Sequence, residues 1–237
     1  MADILSFASV DGVMLDGLCF CSRVYAMFNA LSMEPDFQTR LRMRPTKFEK
    51  RLIEELVPLA RYVQLNYTRG VNISLCWSSG NQLGEATIRR SGLAVQWGER
   101  RAEGMLEVTQ AVHKQDYLLR ELLDTQGHSF APDGISVEGK AHQGNRVVRS
   151  EAYAYSNNEA IAKQIVIVVD AIKAKVAKPY PDNVTLIVQV TLTGVFTPHE
   201  WNQLVQGVRD NLPEHRFDEI WLLDASDRYY SRIPSLP

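Results

Sequence analysis

Hydrophobic positions recur along this chain with two periods, and the switches between them mark out its elements. An apolar run from Val10 to Met33 opens the chain, with a helix expected near Cys19 to Leu31. Thr46 and Glu49 have the spacing of a capping box, and Phe48, Leu52, Ile53, Leu56, Leu59 and Tyr62 follow at helical intervals. Pro58 should kink that helix or split it in two, because it lacks an amide hydrogen and its ring crowds the carbonyl four residues back. Alternation then predicts strands at Val71–Trp77, Glu85–Arg89, Leu93–Trp97 and Met105–Gln110, parted by Ser78-Ser79-Gly80-Asn81, Ser91-Gly92 and a charged turn around Glu99 to Glu103. These make an antiparallel meander of three or four strands.

A helix over Val112–Gln126 ends at Gly127, a good C-terminal stop. Short strands are expected at Ile135–Val137 and Arg146–Arg149 within a polar, glycine-punctuated stretch. Glu159–Lys178 carries the strongest helical stripe (Ile161, Ile165, Val168, Val169, Ile172, Val176), with Lys173, Lys175 and Lys178 at the end the helix dipole makes negative. Val184–Val190 is nearly all apolar, as a strand covered on both faces should be. Thr197-Pro198 opens a helix to about Asn211, Phe217–Leu223 reads as the last strand, and the tail from Tyr229 to Pro237 as frayed or packed on the surface. The predicted class is α/β (α+β): a mixed sheet with an antiparallel meander flanked by helices. Residues 1–45 form an N-terminal helical appendage and residues 46–237 a single α/β domain.

Composition narrows the picture. A length of 237 residues, 45% hydrophobic and 23% charged, suits one large globular domain or a domain with an appendage. Asp11, Asp16 and Arg23 interrupt the opening apolar run and no basic segment precedes it, so neither a signal peptide nor a membrane-spanning helix is expected. The run reads as a docking helix, one that could also bury itself against a second copy of the chain in a homo-oligomer. A net charge of −2 gives no global attraction to nucleic acid, so such a partner would need a local basic patch. Cys19, Cys21 and Cys76 lack metal-type spacing and read as reduced thiols of a cytoplasmic protein. His113, His128, His142, His199 and His215 have no zinc-like spacing. Gly134, Gly139 and Gly144 are too scattered for a phosphate loop, and no serine sits in a G-x-S-x-G elbow, which sets aside P-loop and serine-hydrolase chemistry.

The candidate chemistry lies in Gly104 to Gln110, where Glu107 interrupts a strand that otherwise reads as buried. Alternation puts Leu106 and Val108 on one face and Met105, Glu107 and Thr109 on the other. A buried carboxylate costs several kcal/mol unless it has a partner, a metal or an open cleft. Glu85, on the strand Gly84–Ile88, offers company: if the two strands are neighbours, Glu85 and Glu107 can converge on a divalent cation.

An acid on one strand, the run Glu107-Val108-Thr109-Gln110 on a later one and a helix after it resemble the PD-(D/E)XK nuclease-like superfamily, over roughly Thr46 to Leu223. Lys178-Pro179-Tyr180 before a buried strand, and the closing strand Phe217–Leu223, are similar to small bacterial and phage proteins of that group. The resemblance implies a restriction-endonuclease-like core, namely a helix, a short antiparallel meander carrying the acidic motif, a helix and a further strand. It also implies a hydrolase of DNA or RNA phosphodiester bonds using Mg²⁺ or Mn²⁺. Glu85 takes the place of the first acid and Glu107 that of the motif carboxylate, both as metal ligands, with Glu49 or Glu55 as an extra carboxylate. The family's lysine falls on Thr109, which cannot serve as a cation. Gln110 and Lys114 stand nearby and complete the expected catalytic set, although Gln110 should face away from Glu107. On the following helix His113, Asp116 and Arg120 share one side, so His113 and Arg120 are expected phosphate contacts. Arg89 and Arg101, from the basic pairs Arg89-Arg90 and Arg100-Arg101, are expected to join them. Two other readings stay open. One is an inactive nuclease-like scaffold that binds nucleic acid or a partner protein, as the missing lysine and acidic net charge favour. In the other, Glu107 is an exposed sheet residue paired with Arg89 or Arg101, worth only about 0–1 kcal/mol.

Overall fold

The computed structural model describes residues 4–80, 82–139, 146–192, 194 and 196–234. The chain begins with strand β1 (Leu15–Asp16) and helix α1 (Gly17–Ser32), which the Asp16 side chain caps by accepting from the Leu18 amide at 2.9 Å. Helix α2 (Phe37–Met43) and α3 (Lys47–Arg51) follow, α3 opened by the expected Thr46–Glu49 capping box. A π-helical turn (Leu52–Leu56) leads without a break into α4 (Val57–Asn66). The meander is β2 (Asn72–Trp77), β3 (Ala86–Ser91) and β4 (Glu103–Ala111), with a short helix α5 (Leu93–Gln96) between β3 and β4. Then come α6 (Asp116–Thr125), a hairpin of β5 (Ile135–Glu138) and β6 (Val147–Ser150), and α7 (Asn157–Val176). The chain closes with β7 (Val184–Val190), α8 (Pro198–Asp210), β8 (Glu219–Asp224) and β9 (Tyr230–Pro234).

The main sheet runs β1-β2-β3-β4-β7-β8-β9. β2, β3 and β4 pair antiparallel; β4, β7 and β8 are parallel, and β9 returns antiparallel on β8. Parallel neighbours need long crossovers, and α7 and α8 supply them, packing Val168, Ile172, Trp201 and Leu204 on the Leu186, Val188 and Ile220 face. The opposite face, with Ile88, Leu106, Val108 and Ile187, is covered by α1 and α4 through Phe20, Val24, Leu59 and Tyr62. The result is a helix–sheet–helix sandwich.

Four expectations are corrected. Residues 93–97 are not a strand: Gly92, at φ 110°, turns the chain out of the sheet into α5, and Trp97 is 69% exposed. The helix expected from Val112 starts at Asp116, because β4 keeps pairing to Ala111 and the His113 ring then accepts from the Gln115 amide at 3.2 Å to close a turn. The tail is not frayed over Tyr230–Pro234. Those residues cover the edge of β8, with Ile233 set opposite Ile220. Finally, the segment expected as a separate appendage shares the main core: β1 pairs with β2, and Phe20, Val24, Met27 and Leu31 are buried against α4 and the sheet. Those apolar residues are thus already covered within the fold. Asn81, His142 and Gly144 lie outside the described residues.

Gly92 adopts a backbone conformation essentially closed to other residues, and a Cβ there would run into the Gly70 carbonyl oxygen. Backbone strain and overpacking each cost about 1–3 kcal/mol. Gly92→Ala is expected to lower unfolding stability by about 2–6 kcal/mol in denaturant titration.

Candidate functional site

The site begins with a defect in a helix. Pro58 cannot donate to the carbonyl of Glu54, four residues back, and the helix widens there into the π-helical turn, in which the Val57 amide reaches back to Leu52. The Glu54 carbonyl takes another donor, the Gln110 side-chain amide from β4, at 2.8 Å. Gln110 does face away from Glu107, and this is where it goes. The same turn carries Glu55 to the end of β2, where the Trp77 indole donates to it at 3.2 Å.

Glu85 stands just before β3, and its amide donates to the Leu106 carbonyl at 2.8 Å. The register pairs Ala86 with Leu106, so its continuation sets Glu85 opposite Glu107 on the α7 side of the sheet. Glu55 and Glu85 hydrogen-bond carboxyl to carboxyl. Glu107, 3% exposed, accepts an ion-paired hydrogen bond from Lys175 Nζ on α7. Tyr180, between α7 and β7, completes the group. Its hydroxyl is buried beside Glu107, and burial, followed by the charge and hydrogen bonding of Glu107, raises its pKa. Burial, and then the charges of Glu55 and Glu107, push the Glu85 carboxyl up to about 7, while Lys175 pulls the other way. Burial raises Glu55 as well. The fold thus makes the Glu85 carboxyl harder to ionise than an exposed glutamate.

The structure thus brings Glu85 and Glu107 together, and it adds Glu55 rather than Glu49. Glu49 closes the capping box and pairs with Arg40 at 2.5 Å. Thr109 shares the face of Glu107, without a charge to offer. Lys114 is not recruited: with Gln110, Val112, His113 and Asp170 it lines a separate cavity past the end of β4. The expected phosphate contacts are dispersed. His113 pairs with Asp133 at 3.4 Å, Arg89 with Glu103 at 3.3 Å, Arg101 with Asp218 at 3.6 Å, and Arg120 with the buried Asp116. The reading of Glu107 as an exposed residue paired with Arg89 or Arg101 is corrected by its burial and its bond to Lys175.

Lys175 was missed, although its signal was present. It lies three residues after Ile172 and seven after Val168, on the buried stripe of α7 and not on the solvated side. A lysine at a core position calls for a buried carboxylate, and Glu107 was already in view. Among the described residues no three Asp, Glu, His or Cys side chains group so as to hold a metal ion. A cation here would rest on two carboxylates with water elsewhere, a donor set that suits Mg²⁺ better than a zinc cage. Among the described residues no helix is long and apolar enough to cross a membrane, and the three cysteines are free thiols. No protein-family model, no curated protein and no solved structure matches this chain.

Because the folded state holds the Glu85 proton more tightly than an unfolded glutamate with its ordinary value of 4.5, the group's contribution to stability falls as pH rises from about 4.5 to 7. Glu85→Gln is expected to raise Tm at about pH 8 and leave it nearly unchanged at about pH 5, each kcal/mol reading as roughly 2–4 °C in a chain of this size. Thermal melts of both proteins in EDTA check this, and an equal shift at both pH values would count against it.

Proposed function

We propose that this chain is a nuclease-like protein that hydrolyses phosphodiester bonds in nucleic acid at the cluster of Glu85, Glu107 and Lys175. The observation that carries the reading is the Lys175–Glu107 pair: the cation that Thr109 cannot provide arrives from α7. The order of elements supports it too. A helix, an antiparallel meander, a helix and a parallel strand follow one another, with the first acid at the start of the middle meander strand and the second inside the next. Glu55, on the preceding helix, stands as the extra carboxylate.

In this reading Glu85 and Glu107 provide hard oxygen ligands for Mg²⁺ or Mn²⁺. When bound, the ion lowers the pKa of a water and neutralises charge developing on the phosphoryl group. Lys175 Nζ is within reach of whatever Glu107 touches, and orients water or a phosphate oxygen while adding positive charge. The Tyr180 hydroxyl, buried beside Glu107, supplies a hydrogen bond to a phosphate oxygen. Glu55 hydrogen-bonds the Glu85 carboxyl and holds that side chain in place. One observation favours the alternative of an inactive binding scaffold: Lys175 already neutralises Glu107.

Incubation of the pure protein with Mg²⁺ or Mn²⁺ on single- and double-stranded DNA and RNA decides between them. The expected outcome is metal-dependent cleavage that vanishes in Glu107→Ala and falls about 10²–10³-fold in Lys175→Met, the usual cost of one preorganised electrostatic group. Absent cleavage, or cleavage that survives in Glu107→Ala, overturns the catalytic reading and leaves the binding scaffold.

A further inference from the structure

The sheet's other face carries a cleft that the carboxylate cluster does not use. Two adjoining cavities of about 420 and 200 Å³ meet over Arg90, Arg100 and Arg232, between β3, the segment after α5 and β9. Arg69 lines the larger and Arg101 the smaller. Five guanidinium groups thus surround one cleft in a chain whose net charge is −2.

Three carboxylates face them, and two are taken. Buried Glu219 accepts from Arg100 at 3.3 Å, from Arg232 and from the Tyr62 hydroxyl at 3.3 Å, and Asp218 pairs with Arg101 at 3.6 Å. Glu99 lies on the rim, exposed. Among the described residues, five positive against three negative groups leaves a local charge of +2. Arg90, half-buried, donates among the described residues to neutral oxygens, the Tyr62 hydroxyl at 2.9 Å and the Arg101 carbonyl at 3.4 Å. Trp221, in the wall of the larger cavity and 6% exposed, keeps a buried indole N–H without an acceptor. Buried donors are normally satisfied, and a half-buried guanidinium is usually matched to an anion. Arginine's planar fork of donors fits phosphate oxygens in pairs.

We propose that this cleft binds a phosphoryl group, held by Arg90 and Arg69 above the Glu219–Arg100–Arg232 platform. The chemistry is shared by a small phosphorylated compound and by the backbone of a nucleic acid. The site stands apart from the carboxylate cluster, so binding measured in EDTA reads it whether or not the protein cleaves anything.

The test uses the full chain in EDTA: calorimetric titration with inorganic pyrophosphate and with a mononucleotide, and fluorescence anisotropy with a short labelled oligonucleotide. Arg69→Gln, an exposed position that leaves the platform intact, and Arg90→Gln are each expected to weaken binding about tenfold or more, as loss of a charged hydrogen bond does. Lys47→Gln, exposed on α3, should change nothing. Binding of pyrophosphate or mononucleotide that both arginine variants weaken assigns a small phosphorylated ligand. Binding of the oligonucleotide alone, with the salt slope reduced by about one per arginine removed, assigns a nucleic-acid backbone. No binding of any probe, or binding that both variants leave intact, overturns the proposal.

Discussion

The bond between Lys175 and Glu107 is the constraint around which the centre of this molecule is arranged. Glu107 lies on the inner strand where the antiparallel meander gives way to the parallel half of the sheet, and it is shielded from water. A carboxylate there needs a counter-charge, and the one it has comes from the helix that carries the chain across to β7. The pair fixes the rotation of α7 about its own axis as well as its position, because Lys175 stands on the buried stripe while Lys163 and Lys173 pair on the exposed sides. Losing either partner would leave a buried charge alone, a cost of about 3–5 kcal/mol, whereas replacing both with apolar groups costs far less.

Charge is sorted across the sheet. The carboxylates Glu85 and Glu107 look toward α7, with Glu55 reaching round the sheet end from the other side, and the guanidinium groups of Arg90, Arg100 and Arg232 sit on the α4 face. A net charge near zero conceals this separation. Each region would be unstable if extended. The acidic one is relieved by a lysine and by protons, and the basic one by a single buried glutamate shared between two arginines. Both keep a surplus of one sign, which is the property a site for an ion or a charged ligand requires.

Much of this was legible in the sequence because local rules acted without interference. Thr46 and Glu49 capped a helix as their spacing said, Pro58 broke the helical ladder, and the alternation around Glu107 put its neighbours on the correct faces. Legibility failed where a residue answers to something distant. Leu93 to Trp97 alternates like a strand but has no strand to pair with once Gly92 turns the chain away. Tyr230 to Pro234 is too polar to announce a strand and becomes one because β8 would otherwise leave an open edge. Lys175 is spaced among residues of the core, yet the dipole argument grouped it with its solvated neighbours Lys173 and Lys178. The carboxylates were visible from the strand pattern, while the lysine that completes them depended on a fold that brings residues 107 and 175 together.

The hydrogen bond from Gln110 to the Glu54 carbonyl ties these parts to one another. A strand bearing one acid and a helix bearing another are braced through a backbone carbonyl that the proline left free, three residues from Glu107 and one from Glu55. The spacing between the two acidic groups is thereby set by the scaffold. Mutual repulsion, which would part the two acids if strand and helix were free to move, is borne instead by that frame.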